Sequence, residues 1–454
     1  MPRPPRRPGV RRGRVVTALA LCACAALVAI HLVVYAVPDT RLAAGEAYAG
    51  MPPDARHRYI DLPLDHADPS LGTFRGFYLL SPHYQPGEAV TFVLTDGQME
   101  LVGTDPDFGF FDALFGDTPY VLVGVRGQSP IFFPEVYPGG RVDHALAMRL
   151  YGSAQQVEDI EGVRRDMQRH GLLAQDGRIN VFGASGAGIL AQQYVSRHGP
   201  RVRRLLLEST GAPDLSLQAG LPYSPPFREF NPAADRLLED YLARHPSRRA
   251  ALANVLYQQG RSAQDPRAAQ LRTLQDLRDG GLLAKYELQP MRNLWLLDYI
   301  VKSPKSLVAR VRWFELVGAD LLRYDPRAGT NLLYDLSEVA VSDVLDWHRR
   351  HRVAPMRFDI DRRFPGQVLI LKGRDDVVFG DAVNVRLRDA YPDARLLFFR
   401  DGHRLQRDPA GYRAIRAAFL SGGFAGLGAA GRDGGDAFAP GMVSQAGPRS
   451  GATR

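Results

Sequence analysis

A serine stands in a tight turn between an apolar strand and a helix, in the stretch Ile179–Leu190 (INVFGASGAGIL). A nucleophile elbow of this kind exposes the serine hydroxyl, and it needs small residues two positions before and after the serine because strand and helix cross closely there. Gly183 and Ala187 meet that need around Ser185. The pattern predicts a nucleophile; a phosphate-binding glycine loop is the alternative, but the Lys-Ser/Thr ending of such a loop is absent.

A candidate acid and a candidate base follow later in the chain, each after an apolar run that predicts a strand. The acid is Asp376 or its neighbour Asp375, and the base is His403 in a turn after the last such run. The order serine, acid, histidine is the order that a hydrolase elbow requires. We therefore predict that Ser185 attacks an acyl carbonyl, that His403 accepts its proton, and that the acid orients the imidazole.

Strands and helices must alternate to bring these residues together. Short apolar runs predict strands at 59–64, 74–80, 90–94, 120–125, 179–182, 202–207, 368–371 and 396–399. Helical spacing of apolar residues predicts helices at 153–170, 189–198, 382–391 and 409–420. This alternation predicts an α/β fold with a mainly parallel central sheet flanked by helices, and with ligands bound at the carboxyl ends of the strands.

Changes of pattern predict the domain organisation. A linker covers 38–57, the first part of the core 58–212, a helical cap 213–364, the second part of the core 365–420, and a disordered Gly/Ala-rich tail 421–454. Within the cap, amphipathic helices are predicted at 234–244, 291–300, 306–322 and 339–350.

The N-terminus predicts a membrane anchor. Residues 1–14 form a basic tail with six arginines and no acid, so only +2 of the formal net charge of +8 belongs to the rest of the chain. An almost wholly apolar run of 23 residues, 15–37, follows, and about 20 suffice to span a bilayer. The arginines predict a cytoplasmic N-terminus and an extracytoplasmic catalytic domain. A cleaved signal peptide, with a site at Ala47-Tyr48-Ala49, is the alternative.

Composition also bears on cofactors and partners. Without the basic tail, no cluster of basic residues indicates nucleic-acid binding. The only cysteines, Cys22 and Cys24, lie in the apolar run, so the exported part forms no disulfide. No ligand spacing predicts a metal, and the proposed chemistry requires no organic cofactor. The expected partners are therefore a small-molecule or peptide substrate and the membrane contacted by 15–37.

Several motifs together resemble the α/β-hydrolases, and among them the proline iminopeptidase and tripeptidyl aminopeptidase-like group. The matching stretches are Gly124–Ser129, Val157–Arg164, the elbow with Tyr194 and His198, Gly373-x-x-Asp376, and Gly402-His403. The resemblance covers roughly 59–212 and 365–420. It implies an α/β-hydrolase fold with a helical cap and an aminopeptidase-like activity, and its Gly-x-x-Asp spacing favours Asp376 over Asp375 as the acid.

The loop after the third strand departs from that group. Its His-Gly-Gly-Pro-Gly motif corresponds here to Thr95–Met99, where only one glycine remains. The oxyanion is predicted to bind the backbone N–H of Gly186 and one from Gly97 or Gln98. The group's Arg-x-x-Glu-like element implies that Glu315 binds a substrate ammonium; a surface glutamate is the alternative.

These observations predict a membrane-anchored serine hydrolase that forms an acyl-enzyme, with an aminopeptidase as the type that the resemblance implies. An esterase or lipase using the same triad is a second hypothesis. A catalytically inactive binding ectodomain is a third, because the oxyanion loop is altered.

Overall fold

A twisted sheet forms the centre of the molecule in this computed structural model, which describes residues 9–35, 42, 46–48, 50–96, 102–124, 126, 132–281 and 299–428. The strands are β1 (His57–Pro63), β2 (Thr73–Leu80), β3 (Thr91–Val93), β4 (Tyr120–Gly124), β5 (Ile179–Ala184), β6 (Val202–Glu208), β7 (Gln367–Gly373) and β8 (Ala394–Phe399). Their spatial order is β1-β2-β4-β3-β5-β6-β7-β8. The pairs β1–β2 and β2–β4 are antiparallel, and every other pair is parallel. This topology is the α/β-hydrolase fold, so the predicted fold is confirmed.

The central strands are apolar on both faces because helices cover both sides of the sheet. In β7, Val368 and Ile370 enter one core cluster and Leu369 and Leu371 enter another, and all four are fully buried. Such strands are recognisable in the sequence as continuous apolar runs rather than alternating ones.

Helices account for most of the remaining described structure. They are α1 (Gly9–Tyr35), α2 (Phe108–Phe115), α3 (His144–Tyr151), α4 (Ser153–Arg169), α5 (Gly186–His198), α6 (Pro213–Gln218), α7 (Phe227–Phe230), α8 (Pro232–Arg244), α9 (Arg249–Ser262), α10 (Pro266–Arg278), α11 (Leu307–Leu321), α12 (Leu332–Ala340), α13 (Ser342–His351), α14 (Asp381–Ala390) and α15 (Pro409–Gly426). Helices α4, α5 and α14 contribute to the core cluster on one face of the sheet. Helices α2 and α15 contribute to the cluster on the other.

The segment between β6 and β7 contains helices and, among its described residues between 213 and 364, no strand; its helices contribute to a core cluster of their own. Its helices α8 and α11 lie where the sequence predicts them. The helix predicted at 339–350 is interrupted, because Val341 leaves the helical conformation (φ −116°, ψ 24°) between α12 and α13. Helix α9 is not among the predicted helices, because its consecutive residues 252–257 are all buried and so show no apolar stripe. Most of the helix predicted at 291–300 lies outside the described residues.

Two terminal predictions have different outcomes. Residues 421–428, predicted to be disordered, continue α15 and its final turn, since Phe424 and Leu427 are buried against the core. The rest of that predicted tail lies outside the described residues. Among the residues that the structure describes, no helix combines the length and apolar character that crossing a bilayer requires. The transmembrane helix predicted over 15–37 therefore has no support in the described residues.

Candidate active site

The nucleophile elbow is formed by the junction of β5 and α5. Ser185 has a left-handed φ of 55° with ψ −128°, a strained conformation for a residue with a side chain. The Ser185 amide donates to the carbonyl oxygen of Glu208 at 2.9 Å, and the Ser185 carbonyl oxygen accepts from the hydroxyl of Thr210 at 2.7 Å. A Cβ on Gly183 would overlap the backbone of Ala187. The small residues of the motif are thus required by the close crossing of strand and helix.

The predicted acid and base meet Ser185 at the carboxyl edge of the sheet. Asp376 follows β7 and His403 follows β8. His403 Nε2 lies 3.1 Å from Ser185 Oγ, and His403 Nδ1 lies 2.9 Å from Asp376 Oδ1. The alternative acid, Asp375, has a partly exposed carboxylate that lies 3.8 Å from Arg267 and 3.7 Å from Arg407. The imidazole therefore has Asp376, and not Asp375, as its partner.

Burial and charge set the protonation of the pair. Burial acts to raise the pKa of Asp376, but the charges of His403 and Lys372, with hydrogen bonds from His403 and the Val378 amide, outweigh it and hold this pKa far below its usual range. Burial lowers the pKa of His403 from its ordinary value, although the carboxylate of Asp376 acts in the opposite direction. At neutral pH the acid is therefore ionised and the imidazole is neutral, as a general base must be.

The expected oxyanion donors are only partly described. Gly186 begins α5, so its N–H belongs to the unpaired donors of a helix N-terminus, where negative charge is favoured. Gly97 and Gln98 lie outside the described residues.

An acid beside the elbow was missed as a site residue. Asp96 is buried, and its Oδ2 occupies the space that a Cβ on Gly186 would fill. The guanidinium of Arg312, on α11, donates to the Asp96 carbonyl oxygen at 2.9 Å. Burial lowers the pKa of Arg312 to about 10, against the opposing effect of Asp96. In the sequence, the only indication of Asp96 is that it stands where the His-Gly-Gly-Pro-Gly motif of the resembled group has a glycine.

Glu315 is placed on α11 and is buried. Its two carboxylate oxygens accept from the amide of Ser153, at 3.2 and 3.1 Å, and it forms an ion pair with Arg312. The contacts that the structure gives Glu315 are therefore those of a cap at the N-terminus of α4. Binding of a substrate ammonium by Glu315 stays a prediction.

Aromatic residues and α9 adjoin the base. The ring of Phe379 lies 5.9 Å from the His403 imidazole and 5.2 Å from the ring of Tyr223. At the end of α9, a Cβ on Gly260 would overlap Val377, the residue after Asp376. Among the described residues, no group of three or more histidine, cysteine or acidic side chains has the arrangement of a metal site.

Helix α9 is also tied to the segment that follows the base. The side-chain amide of Gln406 donates to the carbonyl oxygen of Ser262 at 2.8 Å. The guanidinium of Arg407 donates to the carbonyl oxygen of Gln264 at 2.6 and 3.1 Å. The helical segment therefore contacts the loops of both the acid and the base.

Two motifs of the family resemblance meet behind the site. Arg126, almost fully buried, donates to Asp159 Oδ1 at 3.0 Å and to the Leu64 carbonyl oxygen at 2.9 Å. In the same helix as Asp159, Glu161 accepts from the Tyr194 hydroxyl at 3.0 Å. These residues thus join the β4 loop to α4 and α4 to α5. None of these hydrogen bonds involves Ser185, Asp376 or His403.

Comparisons with known proteins find similarity at the level of structure. No protein-family model matches the sequence, and a search of curated proteins finds no match. Among solved structures, an esterase from Exiguobacterium antarcticum is 14% identical, with a TM-score of 0.38, over 76% of this chain and 96% of that one. The esterase RhEst1 from Rhodococcus sp. ECU1013 is 14% identical, with a TM-score of 0.39, over 77% and 95%. A bromoperoxidase from Bacillus anthracis is 13% identical, with a TM-score of 0.36, over 80% and 99%. At these values the likeness says nothing about the activity of this chain.

Proposed function

We propose that this protein is a serine hydrolase that cleaves an acyl bond through a covalent acyl-enzyme. The observation that carries the proposal is the continuous chain of contacts from Asp376 through His403 to Ser185, with the serine at a strained turn between strand and helix. A neutral imidazole, a buried anionic acid and a hydroxyl at the edge of the sheet are the parts that acyl transfer requires.

In the proposed acylation, the Ser185 hydroxyl attacks the substrate carbonyl while His403 Nε2 accepts its proton. Asp376 holds the ring in the tautomer with hydrogen on Nδ1 and stabilises the imidazolium that forms. The imidazolium then protonates the leaving group. In deacylation the same nitrogen takes a proton from water, the resulting hydroxide attacks the acyl carbon, and Ser185 leaves with the proton returned by His403.

The negative charge of each tetrahedral intermediate would develop beside Gly186. Its N–H, at the start of α5, is the described donor for that charge, and one such donor is typically worth about 2.7–4 kcal/mol. Backbone donors do not depend on side-chain identity, so a changed loop sequence after β3 is compatible with activity.

Labelling with a fluorophosphonate tests the proposal directly. Wild type should be labelled and Ser185→Ala should not. Ser209→Ala is the matched control, because Ser209 is also buried and also has a positive φ (41°), after the neighbouring strand; it should be labelled like wild type. A folded wild type that resists labelling would instead favour the inactive binding ectodomain.

We further propose that the substrate acyl group carries a free amine, as in an aminopeptidase or aminoacyl esterase. The resemblance of the sequence to the aminopeptidase-like group supports this proposal, and the buried carboxylate of Glu315 is the candidate partner of the substrate ammonium. Turnover of aminoacyl esters and amides should therefore fall when the amine is acetylated. Equal turnover of the two forms would favour an esterase or lipase.

On the sequence alone we propose that the catalytic domain is exported and held at the membrane by 15–37. The arginine-rich tail before the apolar run supports this orientation. Protease accessibility in intact cells and fractionation with and without detergent test this. Recovery of a shortened, soluble form outside the cell would identify a cleaved signal peptide.

A further inference from the structure

A lysine lies behind the catalytic acid. Lys372, in β7, is fully buried, and its Nζ is 3.0 Å from Asp376 Oδ2 and donates to the Gly373 carbonyl oxygen at 2.8 Å. We propose that Lys372 is a positioning residue that holds Oδ2 of Asp376 in place. Through that carboxylate, Lys372 allows His403 to act as a base at lower pH than it otherwise would. The proposal rests on the proposed function of the triad.

The geometry leaves the carboxylate little freedom. Asp376 Oδ1 accepts from His403 Nδ1 at 2.9 Å and from the Val378 amide at 2.8 Å, and Oδ2 faces Lys372. Rotation of the carboxyl plane would break the two hydrogen bonds of Oδ1 and move Oδ2, which makes no hydrogen bond to a described residue, away from its ion-pair partner Lys372.

The surroundings of Lys372 argue for a role of its charge. The alternation of side chains along β7 places it on the same face as Val368 and Ile370, which belong to an apolar core cluster. A buried ammonium is costly unless it is paired, and an apolar residue would fit such a face at lower cost. The partner that compensates this cost is the carboxylate of Asp376.

The charges around the lysine set the sign of its effect. Asp381 Oδ1, on α14, lies 3.8 Å from Lys372 Nζ, and Arg374 pairs with Asp381 at 2.7 Å. On the far side of Asp376 is His403, whose pKa is lowered by burial, by Arg261 and by Lys372, and raised by Asp376. Removing the positive charge of Lys372 should therefore raise the pKa of the imidazole. Removing the negative charge of Asp381 should lower it.

The test compares pH profiles of kcat/KM for wild type, Lys372→Met, Lys372→Arg and Asp381→Asn with an activated acyl ester. In Lys372→Met the acid limb should move up by about one pH unit, a size ordinary for loss of a nearby charge. Lys372→Arg keeps the positive charge, so its acid limb should lie close to that of wild type. Asp381→Asn should move the limb down by a smaller amount, because Asp381 is partly exposed and its ion pairs are with Lys372 and Arg374 rather than with a triad residue.

A uniform loss of activity in Lys372→Met, with the acid limb unmoved, would overturn the proposal by reducing Lys372 to a stability residue. If circular dichroism shows that Lys372→Met does not fold, the pH profile of Asp381→Asn decides the question. An acid limb whose midpoint is unchanged or raised in Asp381→Asn rejects the proposal. NMR titration of the His403 imidazole in the same variants gives the pKa without turnover. That readout separates failure of the lysine proposal from failure of the hydrolase proposal, which is seen as unlabelled wild type.

Discussion

Replacing the triad acid by its amide gives the sharpest test of the site. Asp376→Asn keeps the shape of the side chain but removes the charge that stabilises the imidazolium, and it lets the amide donate to His403 Nδ1 and so favour the wrong tautomer. The contact is 2.9 Å long and the acid is buried, so water cannot replace it well. We expect kcat to fall about 10⁴-fold, which corresponds to about 5 kcal/mol of transition-state stabilisation.

The same substitution should also affect folding. It leaves Lys372 buried without its 3.0 Å partner, and breaking a buried ion pair typically costs about 3–5 kcal/mol. Urea unfolding of Asp376→Asn should show this loss, and single-turnover kinetics on the folded fraction separates it from the chemical defect.

Asp375→Asn is the matched control, since this neighbour is partly exposed and has only distant ion pairs, at 3.7 and 3.8 Å. Its kcat should stay within a few fold of wild type, and its stability within about 0.5 kcal/mol. If Asp376→Asn kept more than a tenth of the wild-type kcat while Asp375→Asn lost activity, the assignment of the acid would be refuted.

Three other measurements bear on the site. Gly186→Ala should reduce kcat about 10²-fold or more, because the added Cβ would overlap the Asp96 carboxylate and displace the N–H that binds the oxyanion. The reasoning fails if a crystal structure of the variant shows Asp96 displaced while kcat stays at the wild-type value. Arg126→Gln should lower the free energy of unfolding by about 3–5 kcal/mol because it breaks the buried ion pair with Asp159, which then keeps only its 2.6 Å contact with His66; a change under 1 kcal/mol in urea unfolding would contradict this. Because burial lowers the pKa of His403 from its ordinary value, kcat/KM should be constant at neutral pH and fall only as acid protonates the imidazole; an acid-limb midpoint above that of a free imidazole would oppose that direction.

The sheet and the meeting of Ser185, Asp376 and His403 could be predicted from the sequence because both depend on local patterns. Each strand is a short apolar run, and Ser185, Asp376 and His403 each follow one, in the chain order that the fold requires. Parallel strands end at a common edge, so predicting the strands also brought these three residues together.

Features set by distant contacts could not be found in the same way. Lys372 and Asp96 acquire their meaning only from the residues packed against them, Asp376 and Gly186 respectively. Helix α9 was missed because it is surrounded by core on several sides and lacks an amphipathic stripe. Glu315 was found through a family motif, but its capping of α4 depends on a contact with Ser153, 162 positions away in the chain.

The attachment of α9 to both triad loops has a mechanical consequence. Gly260 packs against Val377, and Ser262 accepts a hydrogen bond from Gln406, so one helix end touches the segment of the acid and the segment of the base. If this end of the helical segment moved away from the sheet, it would also move the segments that hold Asp376 and His403. Substrates would have to reach the serine from another side, and a crosslink between positions 262 and 406 should leave turnover intact.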